Sequence, residues 1–382
     1  MKKAIFRWLA GLGLLAGALA ASATQSVPGV TPNAIVLGQS VVLSGPMAEV
    51  GRQYAKGVAL AIAESNRKGG IHGRQLDLQT LDDAYDPQRA ESNTRQLIEE
   101  RQVFALFGYA GTGATIAGQA LAEKVGVPLI APLTGSDALR EKPAANLFFL
   151  RASYGDEMDR IVEHQATLGI NRIALVYQDD PFGRAARRSF EEAMHRQRLA
   201  PVAIASVDPQ AIDVAPALAE IGRSQPMAIV LGTTGKVSAV LLKGLGQGGQ
   251  RPSIFGLSVL SPALLRSELK SGVGGIVMSQ VVPSPWNTKY AIVRQYRAAL
   301  AASANPADIH HALIEGYIAG RVLIEGLRRA GKEPTRAGLV SALGGLHKFD
   351  LGDFIVDYGN RRHAGSSLVE LSILRHDGSF AN

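Results

Sequence analysis

Residues 35–87 restrict the fold more than any other stretch of this chain. Within one short span they run strand, Ser/Gly turn, helix, Gly-Gly stop, strand and acidic turn: IVLGQSVVLSGPMAEVGRQYAKGVALAIAESNRKGGIHGRQLDLQTLDDAYDP. In the first helix, Ala55, Val58, Ala59, Ile62 and Ala63 recur at i, i+3, i+4, i+7 and i+8, which predicts one apolar face. Gly69 and Gly70 stop that helix, because glycine tolerates the left-handed exit. Residues 75–81 then alternate, with Leu76, Leu78 and Leu81 expected to point inward. Asp86 reads as an N-cap and Pro87 as the first residue of a helix reaching about residue 101.

The same alternation continues along the chain. Strands are expected at 103–107, 127–131, 172–177, 202–207, 227–231, 253–257 and 275–282. Long helices are expected at 288–303 and 308–330, and closing strands at 353–358 and 367–374. Strands alternating with helices imply βαβ units and parallel sheets. These are too many strands for one compact sheet. The expected fold class is therefore α/β, with two doubly wound parallel-sheet lobes joined by a multi-strand hinge. Lobe 1 is expected to hold residues 24–150 and 284–346, and lobe 2 residues 151–283 and 347–382.

Ahead of the first unit, Lys2, Lys3 and Arg7 lead into an apolar run from Trp8 to Ala20, followed by Ala21, Ser22 and Ala23. A basic start, a short apolar stretch and a small-x-small end predict a signal peptide, residues 1–23, cut after Ala23. A membrane anchor needs about 20 apolar residues, more than this run supplies. The chain has no cysteine, so an exported protein of this kind relies on core size rather than on disulfides. These features place the mature chain in the periplasm. The formal charge of +7 becomes milder once Lys2, Lys3 and Arg7 leave with the signal. No basic run is interleaved with aromatics, so nucleic acid is not an expected partner.

In open α/β sheets, ligands bind beyond the carboxyl ends of the strands, beside helix N-termini. Turns in that position are 44–46, 111–113 and 134–136 in the first lobe, and 179–183, 233–235 and 258 in the second. Ser44, Thr112, Thr134, Gly135, Ser136, Thr234 and Ser258 are their candidate ligand-binding residues. Thr112 and Ser136 each precede a helix, and are expected either to cap it or to present a hydroxyl to an anion. Chemistry on the ligand is not indicated. The stretch 232–237 lacks P-loop spacing, and neither Gly-x-Ser-x-Gly nor His-Glu-x-x-His occurs. His310 and His311 would point about 100° apart on a helix, a poor metal pair, and are expected on its surface or between the lobes. Asp82 and Asp83 face opposite sides of a strand end and are expected to cap turns. No catalytic residue, metal or cofactor is expected.

The chain resembles the periplasmic leucine/isoleucine/valine-binding proteins of ABC importers. The resemblance covers about residues 33–375. It is carried by LSGPMAEVGRQYAKGVALAIAESNRKGGIHGRQLDL, DDAYDPQRA, FGYAGTGAT, VPLIAPLTGSDALR and IALVYQDDPFGR. It implies a type I two-lobed binding fold that closes, as a monomer, around an amino acid or small carboxylate. It also implies delivery to an ABC permease and its ATPase subunits in the inner membrane. The same fold serves receptors that report a ligand to a membrane sensor, and neighbouring genes would separate these roles.

The family's carboxylate-binding turns match Thr112 and residues 133–136. Its two ammonium partners, a tyrosine and an acidic residue, fall on Phe182 and Ser258, and its aromatic wall falls on Val50. Two readings stay open. Either the ligand lacks an α-ammonium, because burying one unpaired is costly, or Asp179 or Asp180 supplies the charge. Where some relatives carry a disulfide, this chain has Tyr85 and Gly111.

Overall fold

The computed structural model describes residues 27–141, 144–210, 212–247, 252–270, 273–303, 309–359, 363–377 and 379–381. The expected signal segment lies outside the described residues. The first sheet contains β1 (Ala34–Val41), β2 (Gln75–Asp82), β3 (Ala105–Phe107), β4 (Leu129–Ile130) and β5 (Leu147–Phe148). Its order is β2-β1-β3-β4-β5, with every pair parallel. Between these strands run α1 (Ala48–Arg67), α2 (Pro87–Arg95), α3 (Thr112–Lys124) and α4 (Ala138–Glu141). Asp86 caps α2 by accepting from the Gln88 N–H, and a π-helical turn, Gln96–Glu100, carries the helix on to its expected end.

The second lobe repeats the scheme. It opens with α5 (Tyr154–Thr167), β6 (Ile173–Gln178), α6 (Pro181–Arg196) and β7 (Ala203–Val207). α7 (Ala215–Ser224), β8 (Ala228–Gly232), α8 (Gly235–Gln247), β9 (Ser253–Gly256), α9 (Pro262–Leu269) and β10 (Val277–Gln280) follow. The parallel part has the order β7-β6-β8-β9-β10, the same winding as the first sheet. β6 and β8 are buried at every residue, as befits central strands covered on both faces, and their text is correspondingly apolar.

The chain leaves the first sheet after β5 and leaves the second after β10. It then forms α10 (Ala291–Ala301), α11 (His311–Ala330), α12 (Arg336–Gly344) and the small hairpin β11 (Phe349–Asp350) and β12 (Ile355–Val356). It next touches the edge of the first sheet, where Phe149 bridges Ala364 and the His363 ring stacks on Phe148 at 4.4 Å. Finally β13 (Glu370–Leu374) joins β10 antiparallel, and β14 (Phe380–Ala381) closes that edge.

The face of α1 differs from its apolar period. Tyr54, Gly57, Val58, Ala61 and Ile62 are buried, whereas Ala59 and Ala63 are exposed. The cause is α11. A Cβ on Gly57 would stand 1.9 Å from the Leu313 carbonyl oxygen, and one on Gly316 would stand 2.1 Å from that of Tyr54. Bare backbone makes this contact, and glycine adds nothing to a hydrophobic period. Of the histidine pair, only His311 lies on the helix, and it sits between α11 and the edge strand β14 of the second sheet. His310 is the N-cap of α11, accepting from the Ala312 N–H. His311 is buried against Trp286 and Phe380, which lowers its pKa to about 3, chiefly through burial.

Candidate ligand-binding cleft

One pole of the cleft comes from two adjacent turns of the first sheet. Beyond the ends of β3 and β4, Ala110 and Leu133 form a parallel bridge that sets turns 111–113 and 134–136 side by side. The Thr112 and Thr134 hydroxyls hydrogen bond at 2.8 Å, and the Ser136 N–H donates to Thr134 Oγ1 at 3.3 Å. All three residues are buried. The hydroxyl pair uses one proton internally, and Thr134 also hydrogen bonds with the Tyr154 side chain. Thr112 is the first helical residue rather than a cap. The N-cap of α3 is Gly111, at φ +105°, and no side chain caps it. Its first N–H groups and the positive end of its dipole therefore open onto this pole.

Arg140 backs the pole from within. Its guanidinium donates to the carbonyls of Arg151, Thr134 and Ala152 at 3.0, 3.2 and 3.4 Å and lies 4.5 Å from the Phe149 ring centre. Burial lowers its pKa to about 10 despite the nearby Asp137 carboxylate. Gly135 is tight for a separate reason, since a Cβ there would meet the Tyr154 ring at 2.6 Å.

The second-lobe pole centres on Ser258, after β9. Its hydroxyl oxygen accepts from Arg151 Nη2, and its N–H donates to Glu157 Oε2 at 2.8 Å. Glu157 Oε2 also accepts from the Ser279 hydroxyl at 2.5 Å, while Oε1 lies 3.4 Å from Arg151. Glu315, on α11, flanks Arg151 on another side at 3.6 Å. Arg151 and Glu157 are 1% and 0% exposed, so this is an interior charge cluster. Burial opposes the charge on Arg151, but Glu315 and Glu157 hold its pKa above the ordinary arginine range. Burial likewise raises the pKa of Glu315, against the pull of Arg151.

Phe182 is buried and packs edge-on to Tyr154, with ring centres 5.3 Å apart. The Thr234 N–H donates to Gln178 Oε1 and its hydroxyl to the Val259 carbonyl, tying the turns after β6, β8 and β9 together. Asp180 Oδ1 caps α6 through the Gly183 N–H, while Oδ2 accepts from Gln178 Nε2 and the Tyr85 hydroxyl. Burial raises its pKa in spite of these bonds. Asp179 pairs with Arg184 at 2.6 Å on the surface.

The lobes touch across the cleft. Tyr85 reaches Asp180 at 3.1 Å, and the Ser261 hydroxyl donates to Glu49 at 2.6 Å. The Ser189 hydroxyl donates to Asp137 at 2.9 Å, and Arg188 meets Glu141 at 2.5 Å. Gly235 sits so close to Pro46 that an added Cβ would stand 2.1 Å from its carbonyl oxygen. Each contact joins a turn or helix of one sheet to one of the other, so the lobes are closed.

Of the residues singled out in the sequence, Thr112, Thr134, Gly135 and Ser136 come together at the first pole. Phe182, Thr234 and Ser258 occupy the second lobe. Ser44 is exposed and gives its hydroxyl to Asp82 at 2.6 Å. Val50 is buried in the first turn of α1 as part of the core. Asp82 and Asp83 bind turn N–H groups as expected. Partial burial opposes the charge on Asp82, yet bonds from Ser44, Ala84 and Leu43 bring its pKa down to about 2. Burial raises Asp83 to about 6. A Cβ on Gly111 would lie 3.0 Å from the Tyr85 ring, so Tyr85 and Gly111 are neighbours. Sequence reasoning missed Arg151, Glu157, Glu315 and Tyr154. One signal was present: Arg151 directly follows the apolar run 147–150, which puts a charge at a strand's carboxyl end.

Comparison with known proteins agrees with this architecture. A family model described as "Periplasmic binding protein" matches residues 34–372. A Leu/Ile/Val-binding protein homolog 7 from Brucella suis is 28% identical over 250 residues, covering 63% of this chain. The match spans only 60% of that relative's length. A substrate-binding periplasmic protein from Ralstonia solanacearum is 30% identical, with a TM-score of 0.83, over 91% of this chain and 99% of that one. A possible leucine/isoleucine/valine-binding protein from Rhodopirellula baltica is 26% identical, with a TM-score of 0.86, over 94% and 98%. These relatives are solute-binding proteins, not enzymes.

Proposed function

The chain belongs to the periplasmic binding protein family, and from that premise we propose that it captures a small carboxylate lacking an α-ammonium and delivers it to an ABC permease. Lobe closure performs the capture, and ATPase subunits of the importer drive uptake. The observation that carries this reading is the mismatch between the poles. The first offers donors to an anion: a hydroxyl pair, an uncapped helix N-terminus and a buried guanidinium behind them. Among the described residues the carboxylates at the second are already engaged, Glu315 by its 3.6 Å ion pair with Arg151. Glu157 is bonded to Ser258, Ser279 and Arg151, Asp180 to Gly183, Gln178 and Tyr85, and Asp179 to Arg184. An ammonium closed into such a site would lose its hydration without compensation. The names of the relatives suggest branched-chain amino acids as the alternative ligands.

A thermal-shift panel of amino acids and aliphatic and aromatic carboxylates separates these ligands. A ligand at a hundred times its Kd stabilises the folded state by about 2.7 kcal/mol. Carboxylates without an amino group are expected to raise the midpoint, and leucine, isoleucine and valine to leave it unchanged. For the ligand so found, Thr112→Val should weaken binding by about 1.5–3 kcal/mol, the range for hydrogen bonds to charged groups, with little effect on stability. Tight leucine binding, or unchanged affinity in Thr112→Val, would defeat the assignment.

A further inference from the structure

Ser258 differs from the other cleft hydroxyls in what it has left to offer. Its N–H is taken by Glu157 Oε2, and its oxygen accepts from Arg151. A guanidinium only donates, so it cannot take the hydroxyl proton. Glu157 Oε2 already accepts from the Ser258 N–H and the Ser279 hydroxyl, and Oε1 faces Arg151. Arg151 and Glu157 are sealed in the interior, whereas Ser258 is only half-buried. The position therefore presents an O–H donor, strengthened by the cation that polarises it from behind. An ammonium, which has no lone pair, cannot accept from it.

Arg140 and Arg151 link the two poles. One guanidinium, that of Arg140, binds the carbonyls of both Thr134 and Arg151. Arg151 thus has its carbonyl beside the first pole and its guanidinium on Ser258 at the second.

We infer that Ser258, oriented by Arg151, is a specificity-determining donor, and that the ligand carries a neutral acceptor oxygen beside its carboxylate, as in an α-keto acid. The inference rests on the carboxylate reading above and narrows its ligand class. It gives Arg151 a positioning role toward the ligand in addition to its place in the interior charge cluster.

The test is calorimetric titration of the full chain with acids that share one carbon skeleton. One trio is α-ketoisocaproate, isocaproate and leucine; the other is phenylpyruvate, hydrocinnamate and phenylalanine. In at least one trio the keto acid should bind about tenfold tighter than its unsubstituted parent, the worth of one good hydrogen bond. Ser258→Ala should bring that ratio close to one, and Ser258→Thr, which keeps the hydroxyl, should retain it. Ser258→Ala takes one acceptor from Arg151 but leaves the Arg151–Glu157 pair in place, and the unfolding midpoint of each variant checks that it is folded. A ratio near one in the unmodified protein overturns the inference, as does a ratio that survives Ser258→Ala. Failure of both keto acids to bind overturns it as well. In these cases the carboxylate reading stands if another acid binds; if the amino acids bind tightest, that reading falls too.

Discussion

Replacing Arg151 with methionine should lower folding stability by about 3–5 kcal/mol, because it strands two buried carboxylates. Glu157 and Glu315 face this one guanidinium at 3.4 and 3.6 Å. The midpoint of thermal unfolding should fall by about 5–15 °C. The loss should also depend on pH. Burial raises the pKa of Glu315 in the folded state while Arg151 restrains it, so the substitution lets it rise further. A carboxyl whose folded pKa exceeds its unfolded value contributes stability below the unfolded pKa and loses it as pH rises through the folded one. The deficit of Arg151→Met should therefore be smaller near pH 5 than near pH 8, as read by urea unfolding at both. Adding Glu157→Gln and Glu315→Gln should recover most of the loss, since removing a whole buried charge cluster is often close to neutral. A midpoint unchanged by Arg151→Met would mean that the cluster is hydrated rather than interior.

Gly235→Ala should weaken ligand binding by roughly 30- to 150-fold while the protein stays folded. Its new Cβ would stand 2.1 Å from the Pro46 carbonyl oxygen of the opposite lobe, backbone that cannot swing aside. Overpacking of this kind costs about 2–3 kcal/mol, and here the cost falls on the closed arrangement alone. Apparent affinity drops by the fraction of closed molecules lost. The residue also has φ +58°, a strain that alanine meets whether the lobes are open or closed. Gly169→Ala controls for that strain, because Gly169 has φ +74° and nothing within 4 Å of an added Cβ. Calorimetry should find affinity lost in the first variant and kept in the second. Small-angle scattering should find only the first expanded. Equal affinity in both would remove the Pro46–Gly235 contact from the closing mechanism.

Much of the fold was legible because its signals are local. β6 and β8 read as apolar runs, the Asp86–Pro87 pair marked the start of α2, and hydroxyl–glycine turns marked the carboxyl ends of strands. The first pole was legible for the same reason, since parallel neighbours bring consecutive βα turns together. The α1 face was misread because glycines, rather than the period of its alanines, choose which side meets α11. Thr112 was half-read: its hydroxyl serves the next turn instead of its own helix. The charge cluster escaped because its members come from the approach to α5 and its first turn, the turn after β9 and the second turn of α11. No local pattern records that three distant polar residues share one interior.

The contact between α1 and α11 also bears on the order in which the molecule can assemble. Glu64 and Tyr317, bonded at 2.7 Å, are 253 positions apart. Until α11 has been delivered, the glycine-lined face of α1 has no cover and the first sheet lacks part of its outer layer. The segment from α5 to β10 makes its parallel sheet from consecutive units and lacks only the late antiparallel edge. Contacts near in sequence close sooner than distant ones. The middle of the chain should thus consolidate before its beginning, and the beginning only with its end. Pulsed hydrogen exchange during refolding should protect β6 and β8 before β1 and β3; the reverse order would refute this. A chain emerging N-terminus first would then carry its earliest helix unsheltered almost until synthesis is complete, so early truncations should yield no stable first lobe.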